Sequence, residues 1–205
     1  MKKVALVVVV IVFVQMLVAE TEYKNGLGLA GGMTSGMGFS YKRINDNNGF
    51  QFTFGFLSNN NRYNSERPEY GADTTAVFTG KQYDSNLLGN FGINYHHYLH
   101  KGENSLFYLM AGSAIYFDCE WGQEVEYGYI SENSEDDYPV WEETGNTKNF
   151  TEVSQTVNIG AGIGIDYKLT KLIHISLELP ITLSLEADRL NVYMVPQSGI
   201  HYFFK

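Results

Sequence analysis

The sequence predicts an all-β chain folded as an eight-stranded antiparallel up-and-down transmembrane β-barrel. Three observations predict it. Apolar side chains recur at every second position, most plainly in His174-Ile175-Ser176-Leu177-Glu178-Leu179-Pro180-Ile181-Thr182-Leu183-Ser184-Leu185, whose odd positions are all Ile or Leu. The connections between such segments alternate between short and long. Large aromatics collect at the segment ends beside the short connections. A strand sends successive side chains to opposite faces, so the alternation alone fits a soluble sandwich with an oily core or a barrel whose oily face meets lipid. The other two observations decide between them.

The elements follow in chain order. Met1-Lys2-Lys3, an apolar run from Val4 to Val14, and Val18-Ala19 before Glu20 have the layout of a secretory signal peptide,. Cleavage between Ala19 and Glu20 is expected, which gives residues 1–19 as the cleaved signal and 20–205 as one barrel domain. The run is short for a membrane-spanning helix, which needs about 20 apolar residues. With 21 Gly, 15 Tyr, 13 Phe and 4 Pro, the rest favours strands and tight turns over helices,. The single Cys119 leaves no intramolecular disulfide to stabilise an exported chain,. A formal net charge of −9 argues against nucleic acid as a partner,.

Eight strands are expected. Gly26–Gly31 sets Leu27 and Leu29 on one face, and Gly36–Ile44 opposes Met37, Phe39 and Tyr41 to Gly38, Ser40 and Lys42. Phe50–Ser58 places four Phe on one face. Asn86–His100 opposes Leu87, Phe91, Ile93, Tyr95 and Leu99 to Asn90, Gly92, Asn94, His96 and Tyr98. Ser105–Trp121 is apolar throughout, so its parity is left open. Val153–Lys168 opposes Val157, Ile159, Ala161, Ile163 and Ile165 to Asn158, Gly160, Gly162, Gly164 and Asp166. His174–Leu185 is the seventh strand and Leu190–Phe204 the eighth.

Residues 45–49, 101–104 and 169–171 connect strands two, four and six to the next, whereas about 59–85 and 122–152 follow strands three and five. In a meander the short connections share one end and the long ones the other, as in a transmembrane barrel with tight periplasmic turns and long external loops. Tyr41, Phe50, Tyr95, Phe107, Tyr167, Tyr202 and Phe204 fall near the short-turn rim, where a membrane interface favours aromatics. Size points the same way. Eight strands enclose a narrow interior that side chains must fill, so the large aliphatics and aromatics fit outside, and Gly, Ser, Thr and Asn fit within.

The chain's end, Gln197-Ser198-Gly199-Ile200-His201-Tyr202-Phe203-Phe204, resembles the terminal assembly signal of the small eight-stranded outer-membrane β-barrel proteins of Gram-negative-type bacteria. Gln197, Gly199, Tyr202 and Phe204 match that signal position by position. The final Lys205 departs from it, because the family usually ends on the aromatic. Gly36-Met37-Gly38-Phe39-Ser40-Tyr41-Lys42 looks like the second strand of such barrels. The resemblance implies a cell outer-membrane location, contact with outer-membrane lipid and lipopolysaccharide, and handling by periplasmic chaperones and the outer-membrane assembly machinery. A monomer with no cofactor is expected.

Other chemistry weighs less. Gly26-Leu27-Gly28-Leu29-Ala30-Gly31 fits G-x-G-x-x-G but lacks the preceding strand and following helix of a nucleotide cradle,. His96, His100, His174 and His201 share lumen-facing parity with Lys42, Asp166, Lys168 and Glu178. Buried charges must pair, so Lys42, His96, Asp166, Lys168, His174 and Glu178 are expected as a polar cluster inside the barrel. No zinc-site spacing is present, and no metal is expected. His174, Ser176 and Glu178 offer a base, a nucleophile and a carboxylate, but they face the lumen while a lipid substrate would approach from outside. The acidic stretch Gly122–Thr151 reads as a solvated loop, or as one that gathers divalent cations or meets a partner surface. A non-catalytic envelope-structural or surface-interaction role is therefore expected. A lipid-modifying outer-membrane enzyme, a narrow channel for small apolar solutes and, more remotely, a soluble lipocalin-like carrier are the alternatives.

Overall fold

A computed structural model describes residues 24–60, 63–64, 78–133, 138–186 and 189–204. The expected signal segment and its cleavage point at Ala19 and Glu20 lie outside the described residues. The strands are β1 (Asn25–Gly32), β2 (Gly36–Ile44), β3 (Asn48–Asn59), β4 (Tyr63–Asn64), β5 (Phe78–Lys101), β6 (Ser105–Asn133), β7 (Tyr138–Lys168), β8 (Ile173–Glu186), β9 (Arg189–Met194) and β10 (Gln197–Phe204). The chain divides into two units. The first comprises residues to Gly55, Asn90–Tyr116 and those from Thr156; the second comprises Phe56–Gly89 and Phe117–Gln155.

Hydrogen bonds in the first unit run in the order β10-β1-β2-β3-β5-β6-β7-β8, and β10 also pairs with β8. Eight positions thereby form a closed antiparallel ring. Closure leaves no row of unpaired amides and carbonyls along the ring, which hydrocarbon would not tolerate. The short turns form as expected. Asn45 N donates to Asn48 O at 2.7 Å, Gly102 N to Ser105 O at 2.8 Å, and Thr170 Oγ1 accepts from Leu172 N and Ile173 N at 3.1 and 3.0 Å.

Side-chain polarity is reversed relative to a soluble sheet. Along β8, Leu177 is 56 % exposed and Leu183 45 %, while Ser176 and Glu178 are 2 % and 3 %. The same outward apolar parity holds for Leu27 and Leu29 on β1, Phe50 and Phe54 on β3, Phe91 and Ile93 on β5, and Ile159, Ile163 and Ile165 on β7. β6, whose parity the sequence leaves open, turns Phe107, Leu109 and Ile115 outward and Leu106, Tyr108, Met110 and Ala114 inward. At the short-turn end Phe50 and Tyr95 pack at a tilt with ring centroids 5.4 Å apart, and the Tyr95 hydroxyl donates to Asn48 Oδ1 at 2.6 Å. Tyr41 departs from the expected exposed rim. It is covered by its neighbours, and its hydroxyl donates to Asn25 Oδ1 at 2.8 Å.

The eighth expected strand is two. β9 and β10 are separated by Val195 and Pro196, and both pair with β8. Gln197 stands opposite Glu178 and Met194 opposite Ile181, so the register is the same on either side of the gap. The residues without ladder partners on that side of β8 are Leu179 and Pro180. Two prolines, neither with an amide hydrogen, thus share one interruption. No bulge is needed: Pro180 stays in register with Gly162 of β7.

The long connections also differ from expectation. Most of 122–152 is strand, continuing β6 to Asn133 and opening β7 at Tyr138, and β5 starts at Phe78 with β4 paired to it. Alternating aromatic and β-branched residues give this second unit a ladder and a small core. Val125 and Tyr127 are buried, Phe78 packs on Tyr127, and Tyr83 meets Phe150 edge-on at 5.2 Å. Lys81 bonds Glu152 across it.

Candidate functional site

The interior of the ring holds the densest polar chemistry of the first unit. β2 and β7 occupy opposite positions of the ring, and Lys42 Nζ from one meets Asp166 Oδ1 from the other at 2.8 Å, both side chains buried. Around them, Glu178 on β8 gathers donors from two strands and an imidazole from a third. Tyr108 of β6 donates its hydroxyl to Oε1 at 2.7 Å, Gln197 of β10 donates to Oε2 at 2.7 Å, and His96 Nε2 of β5 lies 3.2 Å from Oε1. The Lys42 ammonium also sits 5.0 Å from the centre of the Tyr108 ring. A charge in a low-dielectric interior requires such partners.

A second layer lies at Met33-Thr34-Ser35, the turn joining β1 to β2, whose Thr34 and Ser35 are fully buried. Thr34 donates from N and Oγ1 to Gln197 Oε1 at 3.3 and 2.9 Å, and Asn158 donates to Met33 O at 3.1 Å. Gly36 has φ 78°, a conformation glycine adopts without strain, and it re-enters β2 beside Asn90,. Glycines elsewhere make room. A Cβ on Gly164 would lie 2.5 Å from the Tyr108 ring, and one on Gly26 3.0 Å from Phe203.

The expected cluster is distributed as follows. Lys42, His96, Asp166 and Glu178 are brought together at the centre. His174 is buried beside Phe203, with ring centroids 4.2 Å apart, toward the short-turn end. Lys168 stands half-exposed at the strand end and donates to Glu103 O at 3.3 Å, outside the central group. His100, grouped with the lumen histidines by parity, is exposed because β5 ends one residue later. Of the terminal residues, Gln197 and Gly199 face inward and Tyr202 outward. Tyr108 was missed because β6 is apolar on both faces, and the β1–β2 turn because nothing in its sequence separates an inward turn from a solvated one.

The Ser176 hydroxyl donates to Gly199 O at 3.3 Å. His174, Ser176 and Glu178 all lie buried inside the ring. The acidic stretch is spread along strands. Thr144 and Asn146 donate to Glu126, Gln82 donates to Glu143, and Lys148 lies 3.9 Å from Glu124. The side chains of Glu132, Glu135, Asp136 and Asp137 lie outside the described residues. Among the described residues no group of three His, Cys, Asp or Glu side chains is placed to hold a metal ion.

A closed ring with an apolar exterior and an ion-paired interior is the arrangement a bilayer selects. The fold is that of a transmembrane β-barrel. No protein-family model matches the sequence, and no curated protein does. Two solved structures are similar to the barrel. Ail, the attachment invasion locus protein of Yersinia pestis, is 12 % identical with a TM-score of 0.36, over 88 % of this chain and 94 % of that one. CarO2 of Acinetobacter baumannii is 12 % identical with a TM-score of 0.35, over 90 % of this chain and 100 % of that one.

Proposed function

We propose that the chain is an outer-membrane barrel of a Gram-negative-type bacterium, non-catalytic and monomeric, with an envelope-structural or surface-interaction role. One observation carries this: the ring exposes its Leu, Ile and Phe side chains and buries Lys42, Asp166, His96 and Glu178, an inversion that is stable in lipid and costly in water. Residues 1–19 would be removed as the signal, leaving 20–205. Gln197, Gly199, Tyr202 and Phe204 would present the terminal strand to the assembly machinery after delivery by periplasmic chaperones. Outer-membrane lipid and lipopolysaccharide would form its surroundings.

Two alternatives lose support on specific grounds. A lipid-modifying enzyme needs its nucleophile where lipid can reach it, and Ser176 is 2 % exposed and bonded to Gly199. A narrow channel needs an open path, whereas Lys42 and Asp166 bridge the lumen from opposite strands. The test is the purified barrel in vesicles containing lipopolysaccharide, with lipid mass spectrometry and planar-bilayer recording in parallel. Unchanged lipid A and no steady conductance are expected. Loss or transfer of an acyl chain, or stable unitary currents, would replace this reading.

A further inference from the structure

A cavity of about 170 Å³ opens at the short-turn end of the first unit, large enough for several waters,. Lys24 at the start of the described chain, Asn45 and Asp46 in the β2–β3 turn, Lys101 at the end of β5, Lys168 at the end of β7 and His174 near the start of β8 line it. Five separate elements thus contribute polar side chains to the wall of one space. The Lys101 ammonium is 3.5 Å from Asn45 O and 5.6 Å from the Tyr98 ring centre, and Lys168 reaches Glu103 O at 3.3 Å. Both rest on carbonyls, which are dipoles and not full counter-charges. Among the described residues, Asp46 is the one acidic side chain on the wall. His174 is more than nine-tenths buried there, and its Nδ1 has no hydrogen-bond partner among the described residues. In a chain of net charge −9, this concentration of cations is local and opposite in sign to the whole.

We propose that this cavity is an anion site for a phosphate group. The Lys101 and Lys168 ammonium groups and an imidazole, carried by three different strands with Lys24 also on the wall, suit a tetrahedral anion with several oxygens better than a planar carboxylate with two,. Lysine binds phosphate as a point charge and needs no planar fork. The phosphate could belong to a phospholipid headgroup at the membrane surface or to a free solute. The lipid source rests on the membrane reading above; the free-phosphate source does not.

The experiment uses the full barrel in an uncharged maltoside detergent, titrated calorimetrically with inorganic phosphate at low salt. In parallel, thermal unfolding is followed in phosphatidylcholine vesicles with and without phosphatidylglycerol. Millimolar or tighter binding of phosphate is expected, weakened about tenfold in Lys101→Gln/Lys168→Gln, as loss of two partly exposed charge contacts predicts, and strengthened in Asp46→Asn. Lys148→Gln, in the second unit, serves as the charge control. Binding of phosphate in detergent identifies a free anion as sufficient; stabilisation by phosphatidylglycerol alone, lost in the double variant, identifies the lipid headgroup. Absence of both effects in the unaltered chain overturns the site. So does binding that Lys101→Gln/Lys168→Gln leaves unchanged while Lys148→Gln weakens it.

Discussion

Lys42 and Asp166 stand on diametrically opposite strands of the ring and meet at 2.8 Å in its interior. Their contact spans the full width of the barrel, so it ties opposite sides of the ring together alongside the contacts of Glu178 with Tyr108 and His96 and of Asn158 with Met33. Lys42→Met leaves the Asp166 carboxylate buried without its cation. A loss of about 3–5 kcal/mol follows for breaking a buried pair from one side. Urea unfolding in lipid vesicles reads it, and Lys42→Met/Asp166→Leu should recover most of the loss. A single variant as stable as the parent would show that the pair is not a strut.

Gly164 and Tyr108 fit because one has no side chain where the other has a ring. A Cβ at position 164 lies 2.5 Å from that ring, so Gly164→Ala should cost about 1–3 kcal/mol, the usual range for overpacking a filled interior. In a Tyr108→Ala background the same substitution should be nearly neutral. The double-mutant cycle measures the coupling, and an additive result would mean the two do not share that space.

The exterior offers a test by position. Leu179 sits at the middle of β8 and faces outward, while Ile175 faces outward near its short-turn end. Leu179→Arg should destabilise the barrel in vesicles by about 2–4 kcal/mol and Ile175→Arg by distinctly less, because the cost of a cation falls from midplane to interface. Equal costs at both positions would contradict a lipid-facing exterior.

In the second unit, hydrogen bonding from the Lys81 ammonium holds the Glu152 carboxyl below its ordinary range. A folded value below the unfolded one means the pair's contribution is present above the unfolded pKa and fades as pH falls through the folded value. Carbon-detected NMR should find Glu152 titrating below a free glutamate and moving upward in Lys81→Gln. An unmoved titration would remove the contact from the account.

How much of this was legible depended on whether parity had a contrast to work with. On β7 and β8, large aliphatics alternate with Gly, Ser, Thr and charges, so the outward set and the buried Asp166, His174 and Glu178 follow from counting by two. On β6 the inward Leu106, Tyr108 and Met110 alternate with the outward Phe107 and Leu109. Period 2 carries no signal where both faces are apolar, and the tyrosine that bonds Glu178 stayed hidden. The stretch 122–152 looked like a loop because its acids dominate the composition, although Val125, Tyr127 and Phe150 keep strand spacing and pack in the second unit. The β1–β2 turn enters the interior through contacts with Gln197 and Asn158, which lie far away in sequence. Pro180, awkward in isolation, became ordinary once Pro196 proved to share the same gap in the ladder.

The closed ring, as proposed above, stands in an outer membrane. Cell fractionation followed by gel electrophoresis of unheated and boiled samples tests it most directly. Recovery with the outer membrane and a mobility that changes on boiling are expected, because a folded barrel resists detergent until heated. A soluble periplasmic product whose migration is the same before and after boiling would contradict it.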